Sequence, residues 1–71
     1  MSNAWEVTTD DVLNVLHGMS KKATGDQVHK IMEDLDHFKI ECAALCGDDL
    51  ESQTEHAYRE MIRQIEDRKL L

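Results

Sequence analysis

The chain has 71 residues, carries 15 acidic against 8 basic side chains for a net charge of −7, and is 41% hydrophobic with 4% aromatic residues and no proline. That length holds one domain and leaves little room for a cleft walled by two layers, since so small a chain buries only about 60% of its unfolded surface. The hydrophobic content excludes full disorder, no apolar run approaches the ~18 residues of a membrane span, no signal segment opens the chain, and two cysteines do not make a disulfide framework. The expectation is a soluble, cytoplasmic, all-α domain over residues 1–71.

Residues 1–6 lack periodicity and read as a loose lead, and Ser2-Asn3-Ala4 has the look of a tag-cleavage scar. The first helix is announced by Thr8, whose hydroxyl can cap the Asp11 amide while Asp11 reaches back. Val7 and Val12 stand at the positions of a hydrophobic staple. Its apolar stripe is Val12, Val15, Leu16 and Met19, with Gly18 placed to end it. A helix of roughly ten residues cannot stand alone in water, so it must pack on something.

The second helix opens with Thr24 and Gln27 as another capping box. Its apolar residues Val28, Ile31, Leu35, Phe38, Cys42 and Leu45 follow steps of three and four, a coiled-coil-like seam widened by Met32 and Ala43. Read as one unbroken helix, it runs about twenty residues to Gly47, or roughly 30 Å. Asp36 offers the alternative: as a fresh N-cap it splits the segment near Leu35–His37.

Asp48-Asp49-Leu50-Glu51 starts the last helix, which carries Leu50, Thr54, Ala57, Tyr58, Met61, Ile62 and Ile65 inward. Glu55 with Arg59 and Arg63 with Asp67 are four apart on its flank. Two helices of matched length joined by a tight turn predict a small bundle: a long antiparallel hairpin with the short N-terminal helix across one end. The seam of Val28, Ile31, Leu35, Phe38, Cys42, Leu45, Met61 and Ile65 is too long for the first helix to cover. A homodimer placing two hairpins face to face is the favoured solution, and closure of the same seam as a core by the first helix and the Trp5 lead is the alternative.

Few constellations suggest chemistry. His29, Glu33, His37 and Glu41 recur every four residues, with Asp34 nearby, and could line a divalent metal on one face. That column lies off the apolar seam, which favours a solvated polar face. Cys42 reads as a core residue and Cys46 as the small residue of a crowded last turn; a zinc site or a redox pair would need partners that the spacing does not supply. Ser52 and His56 form a surface pair, and Gly47–Glu51 lacks the donor spacing of a calcium loop. No nucleophile, base and orienting group can be assembled, so no catalysis and no cofactor or metal is expected.

The excess acid lies in residues 1–58, whereas residues 59–71 are slightly basic. An acidic body repels phosphate backbones, which argues against direct nucleic-acid binding and for a protein partner, of basic character if the charge steers it. Glu33, Asp34, His37, Glu41, Asp48 and Asp49 are the candidate interaction residues. The expected function is that of an adaptor or regulator of a host or phage protein. The alternative is an inhibitor that mimics DNA through carboxylates spaced like phosphates.

The stretch Ala43–Tyr58, with Trp5–Val12 upstream, resembles short acidic open reading frames of bacteriophages, prophages and other bacterial mobile elements. Cys46 departs from that pattern. The resemblance implies a bacterial or phage cytoplasmic setting and carries no activity with it.

Overall fold

The computed structural model describes residues 5–71, which form four helices: α1 (Thr9–Gly18), α2 (Gly25–Asp34), α3 (His37–Ala44) and α4 (Leu50–Arg68). Among the described residues there is no strand. The architecture is all-α.

Each helix begins where a side chain can satisfy its free amides. Thr8 and Thr24 form complete capping boxes with Asp11 and Gln27. Asp36 accepts from the Lys39 amide and Asp49 from the Ser52 amide. The cap of α4 is thus Asp49, one residue later than the Asp48 start that the sequence suggested. At the far end of α1 the chain reverses through Ser20, at φ 60°, with Lys21 donating to Leu16 O and Ser20 to His17 O. This is a Schellman closure built on serine, and Gly18 remains inside the helix.

The second expected helix is broken, which corrects the long hairpin of two matched helices. Leu35 is extended (ψ 146°) and Asp36 restarts the chain as an N-cap. The break is held from across the fold. The Asp36 amide donates to Gln64 Oε1 at 2.8 Å, and Gln64 Nε2 donates back to Asp36 O and to Glu60. Arg68 donates to the Asp34 carbonyl at 2.6 Å. The His37 Nε2 lies 2.6 Å from Met32 O, and because a carbonyl only accepts, that nitrogen carries the proton. The Met32 and Asp34 carbonyls, freed where α2 ends, are therefore partnered. Asp36 beside Gln64 and Gly47 beside Gln53 make α3 and α4 run in opposite directions.

The core is Val12, Val15 and Leu16 of α1, Val28 and Ile31 of α2, Leu35 at the break, Ile40 and Ala44 of α3, and Ala57, Met61 and Ile65 of α4, closed by Val7. Residues 1–4, including the suggested tag scar, lie outside the described residues. The lead expected to be loose is anchored at Trp5, whose indole donates to Thr54 Oγ1 at 3.0 Å and meets Tyr58 edge to face. Tyr58 donates in turn to Asp11 at 2.7 Å. These contacts tie the N-terminal lead and α1 to the first half of α4.

Three further points bear on the sequence reading. Val28, Ile31, Leu35, Met61 and Ile65 are buried within one copy, so the face-to-face hairpin dimer has no seam left to use. Phe38, Cys42 and Leu45 do not join them; all three are exposed. Gly47 does not close a helix, because α3 ends at Ala44. Glycine is required there because any Cβ would run into the backbone of Ser52 and Gln53.

Candidate protein-interaction surface

Helix α3 is short, and its phase is set by Asp36 rather than by α2. With Asp36 as its cap, Ile40 and Ala44, four apart, turn inward onto α4 and are fully buried. At about 100° per residue, Cys42 then points some 200° away from Ile40, and Phe38 and Leu45 share its side of the helix. Phe38 is 75% and Leu45 68% exposed, and Cys42 and Cys46 are exposed free thiols. Cys42 is therefore not a core residue and Cys46 is not crowded. Large apolar side chains at i and i+7 on a solvent-facing helix, with another apolar side chain at i+4, make the most contiguous exposed apolar strip that a single helix of this fold carries.

The charged candidates are dispersed. Glu33 and Asp34 are exposed at the end of α2, His37 and Glu41 are half-buried on α3, and Asp48 is exposed in the turn that follows. Asp49 is used as a helix cap. Since the chain is extended between α2 and α3, His29 and Glu33 belong to one helix and His37 and Glu41 to another, and the expected column does not form. Among the described residues, no three His, Cys, Asp or Glu side chains gather closely enough to hold a metal ion.

Gln64 was missed by sequence reasoning. It is 2% exposed, and its amide spans the break between α2 and α3. The signal was its place seven residues after Ala57 and three after Met61, on the inward stripe of α4. Polarity in such a position asks for a buried partner.

Three ionisable groups are shifted, the Arg63 guanidinium being raised by its hydrogen bond to Glu60. Hydrogen bonding from Arg63 holds the Glu60 carboxyl below the usual glutamate range, helped by the Gln64 amide, while partial burial opposes the shift. Burial pushes the Tyr58 hydroxyl up, and its bond to Asp11 adds to that rise. All three are accounted for by structural contacts. The expected flank pairs are formed, Arg59 with Glu55 at 2.8 Å and Arg63 with Asp67 at 3.0 Å, and Arg63 also reaches Glu60 at 2.6 Å.

The concave surface is shallow. One depression lies between α1 and the α1–α2 turn, lined by Leu13, His17, Lys21 and Lys22; another lies beside Leu50, lined by Glu51, Thr54 and Glu55. Neither joins a nucleophile to a base held by a third group. Among the described residues no helix is long and apolar enough to cross a membrane. Compared with known protein families, curated proteins and solved structures, the chain finds no match in any of the three.

Proposed function

We propose that the chain is a small acidic protein-binding module that works by contact and not by catalysis, as an adaptor or regulator of another protein. The observation that carries this reading is α3: a domain that closes its own core still leaves Phe38, Cys42 and Leu45 on one solvent-facing strip. Apolar side chains held out on a short, capped helix cost solubility and add nothing to the core, which is the pattern of a surface that another protein covers. The net charge of −7 steers basic partners and disfavours nucleic acid. The bacterial or phage setting, and with it a cytoplasmic location, rests on the sequence resemblance alone.

The second reading, a DNA-mimicking inhibitor of a nucleic-acid-binding protein, is favoured by the acid-rich surface and makes no use of α3. A pull-down from a bacterial lysate separates the two. An adaptor that docks through α3 loses its partner when Phe38 becomes glutamate and keeps it at raised salt. A DNA mimic keeps its partner in the Phe38→Glu variant and loses it as salt rises.

A further inference from the structure

We infer that the groove between α1 and α2 is a second contact site, and that it takes a short acidic peptide segment of a partner protein carrying one apolar side chain. The inference stands apart from the reading of α3, since no residue of that helix lines the groove.

The turn after α1 builds one end of the groove. Ser20, at φ 60°, reverses the chain, and the Lys21 amide closes back on Leu16 O. Lys21 and Lys22 thereby join His17, in the last turn of α1, at the edge of a depression of about 400 Å³. A second depression, of about 250 Å³, lies toward α2 and is lined by Thr9, Val28 and His29. The two share Leu13 and Ala23, so they form one groove. Leu13 is exposed while Val12, Val15 and Leu16 beside it are buried, which makes it apolar surface that the core does not use. Gly25 keeps the α2 end open: a Cβ added there meets no atom within 4 Å.

Charge identifies the occupant. The chain has 15 acidic side chains against 8 basic, yet among the described residues no aspartate or glutamate lines either depression, whereas Lys21 and Lys22 do. Asp10 and Asp26 are the acids next in sequence to lining residues, in the first turns of α1 and α2, and both stay outside the lining. The ion pairs formed among the described residues all lie within α4. The last carbonyls of α1 are taken by the Met19, Ser20 and Lys21 amides. Both ammonium groups are thus open to an incoming carboxylate.

The apolar floor and the length narrow the choice further. A simple anion makes no use of Leu13 and Ala23, and a purely apolar segment makes none of the lysines. From Thr9 to His17 the helix rises about 12 Å, the span of about four extended residues. A nucleic-acid strand reaching beyond that span would run onto the acid-rich remainder of the surface, where its phosphates are repelled. A short peptide segment meets the lysines without that cost.

An amide NMR titration of the full chain tests this. The probe is a blocked pentapeptide with a central leucine between glutamates, carried to about 2 mM at about 150 mM salt, where charges more than about 8 Å away are largely screened. Shifted amides should cluster at residues 13–17 and 21–29. Lys21→Glu combined with Lys22→Glu should weaken binding by about tenfold with an unchanged circular dichroism spectrum, since both residues are exposed. Replacing the peptide's leucine by alanine should weaken binding by about fivefold. In the Leu13→Gln variant the two peptides should bind alike, a result that a merely electrostatic attraction would not give. Phe38→Glu should bind as the parent does; if it abolishes binding instead, the peptide sits on α3 and the inference falls. The absence of any shift, equal binding of the two peptides to the parent, or tighter binding of tetrathymidylate or of dodecanoate than of the leucine peptide overturns it as well.

Discussion

Val28, Ile31 and Leu35 on one side of Asp36, and Phe38, Cys42 and Leu45 on the other, belong to a single rhythm of three- and four-residue steps, yet their fates are opposite. The first three are at most 5% exposed, while Phe38 and Leu45 are 75% and 68% exposed. Periodicity assigns residues to one face only while the helix phase is continuous. Two extended residues, Leu35 and Asp36, reset that phase, and after them Ile40 and Ala44 become the inward pair.

The sharpest test of this contrast pairs two truncations. Ile31→Ala should lower unfolding stability by about 3 kcal/mol, the usual cost of a buried cavity. Phe38→Ala removes a larger side chain and should change it by no more than about 0.5 kcal/mol. Urea denaturation of the two variants at low protein concentration measures both. Similar losses would mean that α3 is packed the other way round.

Removing the clamp on the break comes next. Gln64→Leu keeps the volume but leaves the Asp36 amide and carbonyl without their partner, for a loss of about 2 kcal/mol. Thermal melts followed by circular dichroism report it. Asp36→Ala removes the cap that sets the phase of α3 and should cost about 1 kcal/mol, with the fluorescence of Trp5 in the folded state unchanged. A larger loss than that of Gln64→Leu would place the control of the break in the cap and not in the clamp.

The smallest expected effect is a pH dependence. The folded-state Glu60 carboxyl titrates below its ordinary value of 4.5, so its contribution is fully present above that pH and is lost as pH falls through the lower folded value. Stability measured from neutral pH downward should therefore fall less steeply in Glu60→Gln than in the parent.

Local signals in the sequence were strong enough to find both capping boxes, the two expected flank ion pairs and most of the core. Each of these depends on residues within one turn of each other. The break at Asp36 was legible only as an alternative, because an aspartate inside an apolar rhythm serves equally as a surface residue of a continuous helix. What decides between the two is Gln64, 28 positions away, and no local pattern links that amide to the Asp36 backbone. Phe38, Cys42 and Leu45 were misplaced for the same reason. Once the helix is taken as continuous, every residue beyond the break inherits the wrong direction.

The hydrogen bond from the Asp36 amide to Gln64 also bears on how the chain opens. That amide sits at a helix start and has no carbonyl of its own helix to bond, so α4 alone shields its proton from solvent. Its exchange with heavy water is therefore a clock for the undocking of α4. If α4 detaches before α1 and α2 unravel, the Asp36 proton exchanges ahead of those in the middle of α2, and the protein opens from its C-terminal side first.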